Sequence, residues 1–204
     1  LPVQGIAGID RMDIEFAREL GFRIKLLAQV REVDGRLEAG VFPTLVKHTF
    51  LIARVGGAYN AIRLEGNAVG PVFLHGLGAG SLPTASAVLA DLMTVARGAA
   101  PHNTGFQRQV PPRADILPPA DAESSYYVRA MVPDNPGVLR DLAGAMADHS
   151  ISIAQAIQKG QHPQGVPLVF MTHAAKASAI QGAIAQVQAA GLLLAPPICY
   201  RVLQ

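Results

Sequence analysis

The residues best placed to do chemistry are three alternating glycines, Gly76, Gly78 and Gly80, set between an apolar run ending in His75 and the segment Ser81-Leu-Pro-Thr84. Glycine lets a backbone turn sharply and approach a ligand without side-chain clash, and a proline such as Pro83 is preorganised for the first turn of a helix. A strand delivering such a loop to a helix start would present N–H groups to an anion or a polarised carbonyl. The same spacing also serves a plain tight turn. It is not the dinucleotide fingerprint, which sits in a βαβ unit with an acidic residue roughly 20 positions on, whereas Asp91 comes sooner. His75 reads more simply as a strand-end histidine bonded to backbone than as a ligand contact.

A second candidate is the turn Val132-Pro-Asp-Asn-Pro-Gly-Val138. Asn135 reads as an N-cap and Pro136 as the first helical residue. Capping alone explains much of this pattern, yet the same geometry turns backbone N–H groups into a concave corner where a small carboxylate would find donors and a favourable dipole. Asp134, Asn135, Gly137 and Val138 are the candidate contacts, with Gln155 and Gln158 on the next strand as possible amide partners, although strand glutamines usually face solvent.

Other chemistries find no support. The six histidines lie far apart and no pair has the helical spacing of a zinc site, so no metal is expected. Ser81 and Ser86 lack a nucleophile elbow. Cys199 is the only cysteine, so an internal disulfide is impossible and the residue reads as core. Lys25, in an otherwise apolar strand, reads as a snorkelling edge residue.

The elements that must position these residues follow from periodicity. Ile9 to Leu20 reads as a helix with Met12, Phe16, Ala17 and Leu20 on one face, stopped by Gly21. Strands Phe22 to Arg31 and Arg36 to Phe42 flank Asp34-Gly35, a dipeptide suited to a type I′ turn. A short helical segment around Val46 to Val55 precedes a second hairpin, Asn60 to Leu64 and Gly70 to His75, turned near Gly66-Asn67. Its last strand delivers the glycine loop, and a helix from Pro83 to Arg97 follows, with Val88, Leu89, Leu92, Met93 and Ala96 at helical spacing and Gly98 as its stop. Between Gly98 and Ser125 five prolines and no period suggest a linker. From Tyr126 the order is strand to Val132, helix Pro136 to His149, strand Ile151 to Gln158, strand Val166 to His173, helix Lys176 to Ala190 and strand Leu193 to Val202. This βαββαβ order makes a ferredoxin-like sheet with two helices on one face. The fold class is α+β: a mostly antiparallel sheet with helices, then the ferredoxin-like module.

Composition sets the bounds. The chain has 204 residues, half of them apolar, enough for two small domains. A net charge of +2 without a basic cluster argues against nucleic acid and acidic membranes as partners. RNA on the ferredoxin-like sheet is disfavoured further, because Val166 to His173 offers only Phe170 and no Lys or Arg. No apolar run reaches the roughly 18 residues of a membrane span and no signal peptide is visible, so a cytoplasmic protein is expected. The chain opens on Leu1 and is read as a piece of something longer.

Taken in order, Ala17-Arg-Glu-Leu-Gly-Phe-Arg-Ile-Lys-Leu-Leu-Ala28, Val41-Phe-Pro-Thr-Leu45, Tyr59-Asn-Ala-Ile62, Leu64-Glu-Gly66 and the stretch from Gly76 to Val88 resemble homoserine dehydrogenase. Pro133-Asp-Asn-Pro-Gly-Val-Leu139 resembles the amino-acid-sensing ACT domain. The resemblance implies a remainder of the substrate and dimerisation domain over residues 1–98, a proline-rich linker over 99–125 and an ACT domain over 126–204. It further implies interconversion of L-aspartate 4-semialdehyde and L-homoserine with NAD or NADP, on the route to threonine, methionine and isoleucine. On that basis Gly78, Ala79, Gly80 and Thr84 line the nicotinamide side of the cleft, and Asp134, Asn135, Gly137, Val138 and Gln155 hold the effector, threonine by pathway logic. A homodimer or larger homo-oligomer is implied.

The departure from that family is as telling. Its Rossmann domain is missing, and so is the Gly-x-Asp-x-x-x-Lys stretch that carries the catalytic aspartate and lysine. Gly8-Ile-Asp-Arg-Met-Asp-Ile14 begins alike but has isoleucine where the proton-shuttling ammonium must stand, and the resemblance matches it to the family's later helix instead. No catalytic residue is therefore expected in this chain, which alone should be inactive and should not bind the dinucleotide stably. The alternative is a stand-alone amino-acid sensor whose first half serves dimerisation.

Overall fold

The computed structural model describes residues 1–98, 113–160, 162, 163 and 165–203, and these fall into two compact units. The first unites residues 1–47 with residues from 114 onward; the second begins at His48 and carries the glycine loop.

The first unit opens with helix α1, Arg11–Glu19, capped by the Asp10 carboxylate, which accepts from the Met12 N–H at 2.8 Å. Its buried face carries Asp13, Phe16 and Ala17, and Gly21 leaves it at φ +83°, the left-handed stop that glycine supplies without strain. Strands β1, Phe22–Val33, and β2, Arg36–Lys47, form a full antiparallel hairpin. Asp34 and Gly35 between them both have positive φ, as a type I′ turn requires.

Strand β2 runs five residues past the expected end at Phe42, through Pro43. On its edge away from β1, Leu37 pairs with Asp115 and Leu117, Val41 with Pro2 and Gln4, and Leu45 with Leu203. Pro43 falls on this outward parity, so its missing N–H costs the ladder to β1 nothing. The helix expected around Val46 to Val55 is replaced by the end of β2, with Val46 fully buried, and a short 3-10 turn at Leu51–Arg54.

After the undescribed residues the chain packs at once. Asp115 and Leu117 bond to β2, Leu117 is buried, and a 3-10 turn at Pro119–Asp121 leads into β5 at Glu123–Val132. Helix α3, Val138–Asp148, strands β6, Ile153–Gln158, and β7, Val166–Thr172, a two-residue strand β8, Ala175–Lys176, helix α4, Ala177–Ala189, and strand β9, Ile198–Val202, complete the unit. Strand β9 starts later than the pattern from Leu193 suggests, because Pro196 and Pro197 have no N–H to offer a ladder.

One sheet results, in the order β1-β2-β9-β5-β7-β6, with β8 beside β5. The ferredoxin-like strands are antiparallel throughout, and the β1–β2 hairpin extends their edge through a parallel pairing of Thr44 and Leu45 with Arg201 and Val202. Alternation splits β5 between two cores. Tyr126, Val128, Ala130 and Val132 join Leu142, Met146, Phe170, Ile180 and Val187 under α3 and α4. Tyr127 faces the other way, into a cluster with Phe16, Ala17, Leu45, Val169, Met171, Tyr200 and Val202 under α1. Phe170, the aromatic considered for RNA stacking, is thus sealed beneath helices.

The second core holds a fully buried carboxylate. Asp13 accepts from Arg129 Nε at 2.6 Å, from its second guanidinium nitrogen at 2.9 Å and from the Tyr127 hydroxyl at 2.8 Å. The hydrogen bond to Asp13 raises the Arg129 pKa, and burial followed by the Asp13 charge raises that of Tyr127. Tyr127 also stacks on Tyr200, with ring centroids 5.9 Å apart.

In the second unit β3, Tyr59–Gly66, and β4, Gly70–Leu77, form the second hairpin, and α2, Ser81–Ala96, follows. Helix α2 buries no residue, and Leu82, Val88, Leu89, Leu92, Met93 and Val95 are all exposed. Gly98, at φ +66°, ends it as its sequence predicts.

Two outcomes test this architecture. Removing one partner of the buried pair, by Asp13→Ala or Arg129→Met, should cost about 3–5 kcal/mol in urea unfolding, because the other charge is left stranded. Burial pushes Cys199, Tyr126 and Tyr200 each up to about 12. Unfolded, these acids release their protons at lower pH, so stability is full at neutral pH and should fall steadily between about pH 9 and pH 12. Urea midpoints that stay constant across that window would contradict the burial described.

Candidate functional site

Two of the loop's three glycines answer different demands. Gly78 makes room for Asn60: a Cβ there would stand 1.8 Å from Nδ2 of Asn60, so this exposed amide, which lies against the loop backbone, would have to swing aside. Gly80 is needed for conformation, with φ at +123°. Gly76 meets neither demand, since a Cβ there would touch nothing within 4 Å.

The loop's own donors are partly spent. The N–H groups of Gly78 and Ala79 both donate to the Ala58 carbonyl, at 2.9 and 3.3 Å. Thr84 turns back on Gly80, its N–H and hydroxyl donating to the Gly80 carbonyl at 3.1 and 2.8 Å. The donors that precede this first helical bond are those of Ser81 and Leu82, since Pro83 has none. Gly78, Ala79, Gly80 and Thr84 therefore lie together and exposed at one helix start, with the anion-directed N–H groups displaced toward Ser81 and Leu82.

His75 differs from expectation. It is exposed and stacks on Tyr59, centroids 4.7 Å apart at 9°, with Phe73 beyond at 6.1 Å. Pairing of Tyr59 with Leu77 and Ala61 with His75 puts these rings on one hairpin face, while Asn60 is on the other. Lys25 is half-buried on edge strand β1, where burial and then the Arg23 charge lower its pKa.

The corner after β5 is built by a close crossing of chains. Gly165 leads into β7 at φ +114°, where a Cβ would meet the Leu194 side chain at 2.4 Å and the Val132 carbonyl oxygen at 2.6 Å. The Leu194 N–H donates to the Met131 carbonyl. Asn135 N–H donates to the Pro133 carbonyl at 2.9 Å and Gly137 takes φ +94°. Helix α3 therefore starts at Val138 with Gly137 as its N-cap, two residues later than the Asn135 cap and Pro136 start expected. The αL turn at Gly137 interposes between the proline and the helix axis.

Asp134 and Asn135 are exposed at this corner, Gly137 is half-buried and Val138 is buried. The N–H groups of Leu139 and Arg140 precede the first intrahelical bond, from Asp141 to Gly137 at 3.0 Å. Arg140 is a feature that the sequence reading passed over. Its guanidinium would lie 3.3 Å from a Cβ at Gly137 and pairs with Asp141, so a cation stands beside those N–H groups. Its place in the first helical turn, three residues after Gly137, was the available signal. Gln155 does not join the corner: it is exposed on β6, paired to Met171, two strands from β5 and on the face opposite α3 and α4. Gln158 is exposed at the end of β6, opposite Leu168.

Among the described residues no three His, Cys, Asp or Glu side chains group as metal ligands, and no helix is long and apolar enough to cross a membrane. For a dinucleotide the fit is partial. The helix start at Gly80 to Leu82 suits one polar edge of such a molecule, while the open parallel sheet that cradles a pyrophosphate has no counterpart among the described strands.

Comparison with known proteins gives these features a context. Residues 1–93 match the homoserine dehydrogenase family and residues 126–191 the ACT domain. The chain is 40% identical over 195 residues to homoserine dehydrogenase of Neisseria gonorrhoeae, an alignment spanning 92% of this chain and 45% of that protein. For homoserine dehydrogenase of Pseudomonas aeruginosa the identity is 37%, over 98% of this chain and 48% of that one. The crystal structure of a homoserine dehydrogenase from Thiobacillus denitrificans superposes with a TM-score of 0.86 at 38% identity, covering 98% of this chain and 47% of the other. The chain thus spans about half the length of the relatives it matches. Two family matches and a shared fold agree: the chain carries a segment similar to the homoserine dehydrogenases over residues 1–93 and an ACT domain over residues 126–191.

Proposed function

We propose that this chain is the part of a cytoplasmic, homo-oligomeric homoserine dehydrogenase that shapes one wall of the active cleft and senses an amino-acid product. The parent reaction is the NAD- or NADP-dependent interconversion of L-aspartate 4-semialdehyde and L-homoserine. Hydride transfer belongs to the nicotinamide, and the protein supplies orientation and electrostatics. In this reading the loop from Gly78 to Thr84 borders the nicotinamide, Asn60 holds the loop against its strand, and the N–H groups of Ser81 and Leu82 present partial positive charge to the cleft. The observation that carries the reading is the strand–glycine loop–helix arrangement of Gly70 to Ala96 in the same chain as a ferredoxin-like ACT module.

The effector reading rests on the corner at Pro133 to Val138. An amino acid's carboxylate would meet the N–H groups of Leu139 and Arg140 and the Arg140 guanidinium, while Asp134 and Asn135 offer acceptors to its ammonium. Threonine, as an end product of the pathway, is the effector assigned. A second reading, an amino-acid sensor without catalytic duty, draws support from the way residues 1–47 extend the ACT sheet.

Two measurements test the sensing role and the absence of catalysis that these readings share. L-Threonine at about 100 times its dissociation constant should add about 2.7 kcal/mol of stability, seen as a rise in Tm, if the folded corner binds it. Absence of any shift with threonine, methionine, isoleucine or lysine would remove the sensing role. Incubated with L-homoserine and either NAD or NADP, the chain should produce no reduced cofactor, because the family's Gly-x-Asp-x-x-x-Lys stretch does not occur in its sequence. Sustained turnover would refute the assignment of catalysis to residues outside this segment.

A further inference from the structure

The seam between residues 1–47 and the ACT strands is closed on both faces of the sheet by the same device: an arginine from an ACT strand holding a carboxylate from the earlier segment. On one face Arg129 of β5 grips Asp13 of α1 through two guanidinium nitrogens. On the other, Arg201 of β9 donates to Glu38 of β2, and its guanidinium lies 4.1 Å from the ring centroid of Phe42. Arg31 of β1 donates to the second oxygen of Glu38 at 2.6 Å and to the carbonyl of Glu123 at the start of β5. Asp13, Glu38 and Arg129 are all buried.

Between these pairs the backbone is continuous, with β2 and β9 in parallel register and the Leu203 N–H on the Leu45 carbonyl at 2.8 Å. Beneath them lies the apolar cluster shared by Phe16, Ala17 and Leu45 with Val169, Met171 and Val202. Lifting α1 and β2 away would strand buried charges on both sides and expose that cluster at once, each a cost of several kcal/mol.

We propose that residues 1–47 and the ACT module open only together, as one cooperative unit. An amino acid held at the Pro133 to Val138 corner therefore stabilises α1, β1 and β2 as strongly as the module that binds it. The ligand arm of this inference rests on the sensing role above, and the cooperative unit rests on the seam itself. A ligand that binds only the folded state suppresses every opening that destroys its site by the factor 1 + [L]/Kd, and backbone amides that exchange through that opening slow by the same factor. The second compact unit, with α2, provides the internal control.

Hydrogen exchange followed by mass spectrometry on the 204-residue chain tests this directly. With L-threonine at about 100 times its dissociation constant, peptides of α1 and β2 should slow about 100-fold, in step with β5 and β7, and those of α2 should not change. Slowing confined to the corner and β5, with α1 and β2 exchanging at their unliganded rate, would overturn the proposal and leave the sensing role standing. A ligand-free arm uses Asp13→Ala, with the milder Glu38→Gln as a second variant. Each should speed exchange in α4, which lies on the face opposite Asp13, by the same factor as in α1. Acceleration limited to α1 and β2 would equally overturn it. Should no amino acid slow any peptide, the sensing role fails and these variants alone decide whether the unit is cooperative.

Discussion

A carboxylate with no access to water has to be matched by positive charge and hydrogen-bond donors, and Asp13 obtains that matching from a strand far along the chain. Arg129 and Tyr127 are more than a hundred residues away in sequence, yet they supply three hydrogen bonds to its two oxygens. The requirement fixes α1 against one face of the ACT sheet and fixes which turn of α1 faces it. Apolar side chains of similar volume could fill the same space with equal or greater stability, so the ion pair is better understood as specifying a position than as a source of net free energy. With α1 fixed, β1 follows through Gly21, β2 through the type I′ turn, and the edge of β9 receives β2.

This constraint explains why ancestry and packing divide the chain differently. The family matches cover residues 1–93 and 126–191. Burial instead joins residues 1–47 to those from 114 onward and leaves His48 to Gly98 as a second body. Residues 115–117, lying along the outer edge of β2, are part of the joint. The ACT module in this arrangement shares a sheet and a core with the segment it accompanies. The second body, by contrast, carries its apolar side chains in the open: α2 buries none of them. That body holds the glycine loop, which donates to the Ala58 carbonyl of its own unit and has the Asn60 amide close against Gly78.

Local rules read this chain well where the determinants are local. The α1 stripe and its glycine stop, the Asp34-Gly35 turn, both hairpins, the glycine loop and the βαββαβ order all rest on residues within a few positions of one another, and each is found. Misreadings arise where a distant neighbour decided, at Pro43 and Gln155, and where local cues competed, at the Asn135 to Arg140 corner. Pro43 looks like a strand end until the outer edge of β2 shows that its missing N–H faces a gap between two paired stretches. Asn135 looks like a cap until Gly137, forced into αL geometry, takes that position. Gln155 looks like a neighbour of the corner, but pairing with Met171 places it two strands away on the opposite face. Arg140 was overlooked because a charged residue in a first helical turn usually means only solvent exposure.

The sequence alone determined the elements, their order, the family likeness of each half and the position of both candidate loops, because hydrophobic period, turn chemistry and short motifs act over a few residues. Only the tertiary structure decided that α1 covers the second face of the ACT sheet, that β2 joins the edge of β9, and that Asp13 and Glu38 are the residues closing the seam. Those outcomes depend on which distant groups can satisfy a buried charge and which sheet edge is left unpaired, and neither is written in the spacing of neighbouring residues.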